Sequence, residues 1–391
     1  MHPSDGKLRL FSNTRTALFI ERLNRFVVRC SIGNTVTEAY LPNPGRLREL
    51  LLPGRAIRLI EHSTGAERKY RYTVVAVERD ETPIMLHTHL ANRVVHWLLE
   101  KRAIPFFETA DIIKPEVTVN RSRFDFLLRK DGRPFLLEVK SCTLFEDRVA
   151  MFPDAVTLRG RRHLMELAEH AKNGTPGGVM FLIHAPKARF FLPDYHTDFD
   201  FAHTFLNVRD RITFCPISIT WNNDLVLTPN VREVTIPWET IHEEAQDRGS
   251  YILICHLPHN ERIEIGKLGT LPFRRGYYLY VGSAKKNLSK RMERHLRKRK
   301  TFHWHIDYLR DRADRATALA IRSSRPLECI IATALGTITD WSVPGFGSSD
   351  CSCETHLFGM HRNPQHNASF VQLLQDFRIK RLQNELELRQ R

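Results

Sequence analysis

Residues 124–140 read FDFLLRKDGRPFLLEVK, with two apolar runs on either side of Asp131-Gly132. An Asp-Gly pair between two such runs is a strong signal for a β-hairpin with a two-residue turn. Counting residue pairs back from this turn places Asp125 directly opposite Glu138. Lys140 follows two positions after Glu138, so its side chain points to the same face of the sheet. The stretch therefore predicts two carboxylates and one amine together on one face of a hairpin.

The other face of the predicted hairpin is apolar and is expected to enter a core; it carries Phe124, Phe126, Leu137 and Val139. On the polar face, two opposed carboxylates repel each other, and burying them costs free energy unless a cation lies between them. A divalent metal ion would remove that repulsion, and a nearby lysine could polarise a water molecule or a phosphate. The alternative is that Asp125, Glu138 and Lys140 are solvated surface residues that hold no ligand.

This stretch and its flanks resemble known proteins. Asp125 and Glu138-Val139-Lys140 resemble the D and E-x-K elements of the PD-(D/E)XK nucleases. Over roughly residues 10–235, the chain also resembles the sugar fermentation stimulation protein family. The blocks that carry this second resemblance are Asn43-Pro44-Gly45-Arg46, Leu50, Pro53-Gly54, Phe152–Thr157, Arg159-Gly160 and His163-Leu164. The resemblance implies an N-terminal OB-like barrel, a restriction-nuclease-like domain after it, and DNA binding.

The composition favours a polyanionic partner. Lysines and arginines number 59 against 44 aspartates and glutamates, a formal net charge of +15, which favours nucleic acid over a membrane. The seven cysteines are scattered and odd in number, so a disulfide framework is not expected and a reducing cytoplasm fits best. The N-terminal residues lack the apolar core of a signal peptide, and apolar runs such as Val179–Ile183 are too short to span a bilayer.

A second set of motifs begins at Gly249-Ser250-Tyr251 and continues with Tyr278–Gly282. Together with the later Arg291 and Glu328, the order resembles the GIY-YIG endonucleases. That resemblance implies that Tyr251, Tyr280 and Arg291 act at the scissile phosphate and that Glu328 holds a metal ion. The alternative is structural: the tyrosines would be core residues of strands, and Glu328 would favour the first turn of a helix through the helix dipole alone.

The second set departs from the usual GIY-YIG pattern. The first triplet is Gly-Ser-Tyr, and 28 residues separate Tyr251 from Tyr280. This variant is similar to a GIY-YIG-related domain of unassigned function that is found fused to other DNA enzymes. Its further marks here are Gly282-Ser283-Ala284, His295-Leu296-Arg297, residues 303–309, Glu328-Cys329, and residues 346–351 with Cys353 and His356. Cleavage by this second unit is therefore a weaker expectation than cleavage by the first.

The run from Lys285 to Lys300 contains nine lysines or arginines and one acid, Glu293, and is predicted to be a basic helix. Like charges four residues apart destabilise a helix unless a polyanion relieves their repulsion. Phosphate contacts carry no sequence information, so we expect salt-sensitive binding of low sequence specificity. The predicted DNA contacts are Arg46, Arg159, His163, Lys285, Lys286, Lys290, Arg294, His295, Arg297, Lys298 and Trp304, the last by stacking on an unpaired base. For Arg159, Arg161, Arg162 and His163 the alternative is a basic helix start that makes no contact.

Cys351, Cys353 and His356 are spaced closely enough to suggest zinc. A structural zinc site normally has four protein ligands, and C-x-C-x-x-H offers no fourth ligand at a conventional spacing. Buried thiols and a polar loop histidine are therefore the favoured interpretation.

The expected fold class is multidomain, with mixed α+β and α/β architecture. The predicted domains are an OB-like β-barrel at 1–85, a PD-(D/E)XK nuclease-like α/β domain at 86–236, a GIY-YIG-like α+β domain at 249–362 and a helical tail at 363–391. Residues 237–248 are expected to be a linker. Strands are predicted at Arg25–Cys30, Thr35–Leu41, Ala56–Glu61, Tyr70–Val77 and Val179–Ile183, and helices at Leu90–Lys101 and Thr157–Ala171.

The leading functional hypothesis is a cytoplasmic, metal-dependent DNA endonuclease. Asp125 and Glu138 would hold Mg²⁺ or Mn²⁺, and Lys140 would orient or activate the attacking water. The substrate would be double- or single-stranded DNA. The alternative is a non-cleaving, DNA-binding regulator of sugar metabolism genes that uses nuclease-like folds as docking surfaces. A third hypothesis is an enzyme that acts on RNA.

Overall fold

The computed structural model describes residues 6–63, 68–119, 122–349 and 351–389. The outermost residues of the predicted first and last domains, and Asp350 of the second motif set, lie outside these ranges. The described residues form two compact units, one of residues up to 194 with 200–238 and 382 onwards, the other of 195–199 and 239–381. Across the described ranges, each helix is too short or too polar to cross a lipid bilayer.

The first unit begins with a small barrel. Strand β1 (Leu8–Arg9) precedes the barrel and pairs antiparallel with Val226–Leu227 later in the unit. The strands of the barrel sheet are β2 (Arg15–Asn24), β3 (Val27–Ile32), β4 (Thr35–Tyr40), β5 (Ala56–Glu61), β6 (Tyr72–Arg79) and β7 (Thr82–Met85). They pair in the order β4-β3-β2-β5-β6-β7, and a parallel pairing of β4 with β6 closes five of them into a barrel, as predicted. The sequence did not reveal β2, because two register shifts in its pairing with β3 interrupt the alternation of buried and exposed residues.

An α/β layer follows. Its elements are α1 (Ala91–Glu100), β8 (Asp111–Val119), β9 (Ser122–Lys130), β10 (Arg133–Cys142), β11 (Leu144–Glu146), β12 (Val149–Phe152), α2 (Leu158–Lys172), β13 (Gly177–Ile183), β14 (Phe190–Pro193), α3 (Phe199–Asn207), β15 (Thr213–Ser218), β16 (Val226–Leu227) and β17 (Arg232–Glu233). The main sheet has the order β17-β15-β13-β10-β9-β8, antiparallel from β8 to β10 and parallel from β10 to β15. Short 3₁₀ helices cover Thr88–Leu90 and Pro105–Phe107.

The hairpin of β9 and β10 has the predicted register. Asp131 and Gly132 both have positive φ, as a tight two-residue turn requires, and pairing runs from Lys130 opposite Arg133 to Phe126 opposite Leu137. The next pair along this register is Asp125 and Glu138. Phe126, Leu137 and Val139 enter one core together with α1. Phe124 is also buried, but its ring packs against His163 and His170 of α2.

The second unit is built on a five-stranded antiparallel sheet with the order β22-β18-β21-β24-β23. The elements of this part of the chain are α4 (Trp238–Glu244), β18 (Gly249–Leu257), β19 (Glu261–Glu264), β20 (Thr270–Phe273), β21 (Gly276–Ala284), α5 (Leu288–Leu296), α6 (His305–Arg312), β22 (Arg315–Arg322), α7 (Glu328–Gly336), β23 (Trp341–Ser342), β24 (Leu357–Met360), α8 (Ala368–Gln375) and α9 (Arg381–Arg389). A π-helical turn, Asp376–Lys380, joins α8 to α9, and 3₁₀ helices cover Gly266–Leu268 and Pro364–His366. Along the chain, the hairpin of β19 and β20 is inserted between the two tyrosine-bearing strands, β18 and β21. This insertion accounts for the wide separation of the two tyrosines in sequence.

Two expectations about these elements need correction. The stretch 237–248 is not a bare linker, because it contains α4. The basic run forms a helix only over Leu288–Leu296, since Asn287 before it is left-handed and Arg297 after it is extended. Among the described residues, the C-terminal tail contains α8, the π-helical turn and α9. Its Phe370, Leu373 and Leu374 pack into a core of the second unit.

Candidate active sites

A cavity of about 420 Å³ lies where the barrel meets the β9–β10 hairpin; we call it the first cavity. Asp125, Glu138 and Lys140 line it together, as the hairpin register predicts. Its other walls come from the loop 43–45 of the barrel and from residues 152–157 with Arg159. Parts of three sequence blocks that carry the family resemblance, residues 43–45, residues 152–157 and Arg159, therefore meet around a single cavity.

Glu138 is buried, with 3% of its surface exposed. Its Oε1 accepts hydrogen bonds from Lys140 Nζ and from His163 Nδ1, the latter at 2.6 Å. Burial alone would raise the pKa of Glu138, but the bond from His163 and the charge of Lys140 outweigh it and hold the pKa below its ordinary value of 4.5. The second oxygen, Oε2, is buried and has no hydrogen-bond partner among the described residues. The site thus contains an ionised carboxylate with one unused, desolvated oxygen.

Asp125 is held from two sides. Its Oδ1 accepts from Asn92 Nδ2 at 2.6 Å, and its Oδ2 accepts from the backbone amide of Val139 at 2.7 Å. Burial and the neighbouring charge of Glu138 nevertheless raise the pKa of Asp125 above its ordinary 3.8. The pKa values of the two carboxyls are therefore shifted in opposite directions. This is expected for two neighbouring acids of which one, Glu138, is preferentially ionised. Asn92, at the start of α1, has no sequence signal that would have identified it.

The prediction that His163 contacts DNA is wrong. Only 1% of its surface is exposed, and it is sandwiched between Glu138 and Arg159, whose Nε donates to His163 Nε2 at 3.3 Å. The sequence alone did not identify Glu138 as the partner of His163. Arg161 pairs with Asp200, and Arg162 lies 3.9 Å from Glu166 on the same helix. Of the four basic residues at the start of α2, Arg159 is the exposed one that lines the cavity.

The loop 43–46 reaches the cavity because its backbone is tied down. Arg22 donates to the carbonyl oxygens of Asn43, Gly45 and Arg46, at 2.6 to 3.0 Å. A Cβ on Gly45 would lie 2.9 Å from the carboxyl carbon of Asp154, so a larger residue at this position would force the Asp154 side chain to shift. Asp154 in turn accepts from the amide of Leu47 at 3.2 Å. Arg46 itself is exposed, as a phosphate contact requires.

A polar relay that the sequence did not reveal lies beside the first cavity. Ser141 lines the cavity, and its Oγ is 3.1 Å from His184 Nε2. Trp221 Nε1 donates to His184 Nδ1 at 3.1 Å, so the imidazole proton is left on Nε2 and points at Ser141. Burial lowers the pKa of His184 to about 3, which keeps the ring neutral. The relay therefore fixes the Ser141 side chain without adding charge.

A second cavity, of about 310 Å³, lies in the second unit. It brings together the predicted residues Tyr251, Tyr280, Arg291 and Glu328, and Trp304 is also in its wall. Further lining residues that the sequence did not assign to the site include Ser283, His303 and His305. Arg291 donates to the carbonyl oxygen of Ser283 at 2.6 Å.

Tyr251 lies on β18 opposite Gly282 of β21 and is buried. A Cβ at position 282 would lie 2.9 Å from Tyr251 Cε1 and closer still to its hydroxyl, so the glycine makes room for the ring. The hydroxyl is 2.8 Å from His295 Nε2. Burial raises the pKa of Tyr251, so the phenol stays protonated at neutral pH. His295 is 1% exposed, which corrects the prediction that it contacts DNA.

Glu328 is the first residue of α7, as expected from its position in the sequence. It accepts a hydrogen bond from Ser283 Oγ, and its Oε1 lies 3.2 Å from His356 Nδ1. Burial works to raise the pKa of Glu328, but the neighbouring His356 and the hydrogen bond from Ser283 outweigh it and lower the pKa. A carboxylate with this environment is ionised and faces the cavity.

Arg294 is also misassigned as a DNA contact. Its guanidinium donates to both oxygens of Asp307, at 3.1 and 3.2 Å, and lies 4.3 Å from the centroid of the Trp304 ring. Asp307 is fully buried and is bonded also by Lys300 Nζ at 2.8 Å. Positive charge within the run therefore stabilises the fold around Asp307. The remaining predicted contacts of the run are exposed: Lys285, Lys286, Lys290, Arg297 and Lys298.

Comparison with known proteins covers both units. Residues 20–86 match the "SfsA N-terminal OB domain", 89–224 the "Sugar fermentation stimulation protein RE domain", and 250–379 the "Domain of unknown function DUF123". A sugar fermentation stimulation protein homolog of Methanothermobacter thermautotrophicus is 34% identical over 231 residues, 59% of this chain and 96% of the relative. The homolog of Methanosphaera stadtmanae is 39% identical over 50% of this chain and 82% of the relative.

Among solved structures, Pyrococcus furiosus SfsA in complex with Ca²⁺ matches with a TM-score of 0.54 and 28% identity, over 59% of this chain and 98% of that one. These matches confirm the predicted fold class, with its OB-like barrel, the domain that follows it and the further C-terminal domain. The chain belongs to the sugar fermentation stimulation protein family and carries a DUF123 domain after the family's two domains.

Proposed function

We propose that this protein binds DNA and hydrolyses its phosphodiester bonds with a divalent metal ion, Mg²⁺ or Mn²⁺, held in the first cavity. The observation that carries the proposal is the desolvated Oε2 of Glu138, which has no hydrogen-bond partner among the described residues. A buried, ionised oxygen without a donor is costly unless a cation neutralises it. Asp125 supplies the second carboxylate at the same cavity.

The donor set fits a hard cation. Carboxylate oxygens are the ligands that Mg²⁺, Mn²⁺ and Ca²⁺ share, and the Pyrococcus furiosus relative was solved in complex with Ca²⁺. We infer that Asp125 and Glu138 hold the ion in this chain. Bound there, it would polarise a phosphate oxygen and lower the pKa of a coordinated water.

The other residues of the cavity have roles that follow from their positions. Lys140 Nζ is bonded to Glu138, and 17% of its side chain is exposed, so the amine can orient a water or a phosphate oxygen next to the carboxylates. Arg159 and Arg25 line the cavity and are exposed, which suits contacts to flanking phosphates. His163 keeps Glu138 ionised and in place without touching the substrate.

The second cavity supports a weaker proposal of the same kind. Tyr251, Tyr280, Arg291 and Glu328 converge there as the GIY-YIG resemblance implies. Arg291 would neutralise a phosphate, and Glu328 would hold the metal ion. Glu328 already accepts from Ser283 and faces His356, so an ion there would have to compete with these partners. We therefore assign the principal cleavage activity to the first cavity.

Nicking of supercoiled plasmid DNA with Mg²⁺ or Mn²⁺ tests the proposal. Glu138→Gln keeps the size of the side chain and removes its charge; Glu328→Gln does the same in the second cavity, and Glu169→Gln on the exposed face of α2 is the matched control. We expect nicking to be lost in Glu138→Gln and retained in the other two, with DNA binding intact in all three. Equal nicking by wild type and Glu138→Gln would refute the assignment to the first cavity.

One other result would favour the regulator hypothesis. Relatives of this chain bear a name that refers to sugar fermentation rather than to a nuclease. If wild type binds DNA but does not nick it with either metal ion, the nuclease-like domains serve in binding alone. Competition of labelled DNA with unlabelled RNA, in the same binding assay, decides between the two nucleic acids.

A further inference from the structure

Four metal-ligating side chains meet at one point of the second unit. They are Cys329, Cys351, Cys353 and His356, whose ligand atoms all lie within 4.8 Å of one another. Cys329 is the second residue of α7, the other two cysteines lie in the loop before β24, and His356 directly precedes that strand. The loop motif that lacked a fourth ligand in the sequence therefore has one, supplied from a different element.

The spacing of these atoms suits a small tetrahedral site. With Zn–S bonds of about 2.3 Å, neighbouring ligands of a tetrahedral zinc ion lie about 3.8 Å apart. Cys351 Sγ and His356 Nε2 are 3.4 Å apart, and the whole set spans no more than 4.8 Å. Closure around an ion thus requires only small side-chain adjustments, with no rearrangement of α7 or β24.

The chemistry of the donors identifies the class of ion. Three thiolates and one imidazole are soft to borderline ligands, which select zinc over the hard cations Mg²⁺ and Ca²⁺. Four protein ligands leave no open coordination position, which is the arrangement of a structural site. The three cysteines are at least partly exposed, so an ion can reach them from solvent.

The orientation of His356 is a separate observation that points to the same ligand. Its Nε2 faces Cys351, while its Nδ1 lies 3.2 Å from Glu328 Oε1. Histidines that bind zinc through one nitrogen commonly donate the other N–H to a carboxylate, which fixes the tautomer and the plane of the ring. His356 is also buried, with 1% of its surface exposed, so its ring is held in this position.

We propose that Cys329, Cys351, Cys353 and His356 bind one zinc ion. The ion joins the start of α7 to the loop before β24 and holds His356 against Glu328, at the wall of the second cavity. Coordination uses the deprotonated thiols and the neutral imidazole, so it releases protons and involves no redox step. The inference is independent of whether either cavity cleaves DNA.

Metal analysis of the purified 391-residue chain tests this proposal. The protein is kept reduced, exposed to Zn²⁺, freed of loose metal by gel filtration and analysed by mass spectrometry for zinc per chain. We expect about one tightly bound zinc ion in wild type and in the neighbouring control Ser352→Ala. Cys351→Ser and Cys353→Ser should lose it, whereas His356→Cys should keep it, since four cysteines also make a structural zinc site.

Cobalt provides a readout that does not depend on the folding of the variants. Co²⁺ bound by thiolates gives an intense sulfur-to-metal charge-transfer absorption that oxygen ligands do not produce. We expect this band in wild type and its displacement by one equivalent of Zn²⁺. Folded wild type that retains no zinc and shows no such band overturns the proposal, as does full zinc retention by Cys351→Ser and Cys353→Ser.

Discussion

Binding of a divalent cation in the first cavity should release one proton at acidic pH. The pKa of Asp125 is raised by burial and by Glu138, whereas the pKa of Glu138 is lowered by its bonds to His163 and Lys140. Below the raised pKa of Asp125, the metal-free site therefore carries one protonated and one ionised carboxyl. A cation binds the doubly ionised form, so the Asp125 proton must leave.

The pH dependence of metal affinity follows from the release of this single proton. With one linked proton, the association constant for Mn²⁺ should fall about tenfold for each pH unit below the raised pKa of Asp125, and should level off above it. Two ordinary, independently held protons would give about a hundredfold change per unit. Without metal, the stability of the fold depends on pH in the opposite direction from the metal affinity. A raised folded-state pKa means that the contribution of protonated Asp125 to stability is present at low pH and is lost as the pH rises through that value.

Isothermal titration calorimetry with Mn²⁺ measures this directly. Titrations in two buffers with different ionisation enthalpies give the number of protons released at each pH. We expect a value that rises towards one as the pH falls below the pKa of Asp125. In Asp125→Asn the release should disappear and binding should weaken, while the exposed-site variant Glu169→Gln should match wild type. A wild type that releases no proton across the acidic range, or that releases two, would refute this account of the site.

Three further outcomes follow from the second unit. Asp307→Asn leaves Arg294 without its buried anion and should destabilise the unit by about 3 kcal/mol in urea unfolding; an unchanged midpoint would contradict the role given to Asp307. Gly282→Ala drives a methyl group into Tyr251 and should cost about 1–3 kcal/mol, measured in the same way, and a neutral effect would mean that the ring moves freely. Lys290→Ala removes an exposed charge and should lower the salt slope of DNA binding by about 0.9, with no change in stability; an unaltered slope would exclude it from the interface.

The hairpin could be predicted because its information is local. The side-chain period of two and the Asp131-Gly132 turn fix the register together, and a slip of one residue would move Asp125 and Glu138 to the wrong face. The convergence of Tyr251 and Tyr280 on one cavity was implied by the GIY-YIG resemblance and not by the spacing of the residues. The prediction of the barrel was less complete. It missed β2, because this strand is irregular and its buried and exposed residues do not alternate cleanly.

The partners of individual side chains could not be predicted in the same way. The periodicity of a helix indicates on which face of the helix His163 or His295 lies. It does not indicate which element packs against that face or whether the face is exposed to solvent. Arg294 was read as one charge in a basic run because Asp307, its partner, lies on the next helix. Cys329 was missed for the same reason: the contact that makes it a fourth ligand depends on how α7 folds against a distant loop.

The barrel loop that contacts Asp154 makes the N-terminal domain a structural part of the first cavity. Because the backbone of residues 43–45 supplies one side of the first cavity, a fragment that begins after the barrel would keep Asp125 and Glu138 but would open their surroundings to bulk water. When barrels are exchanged between relatives, an incoming loop without a glycine at this position should displace the Asp154 side chain and alter the cavity. The two domains are thus expected to be inherited as one piece.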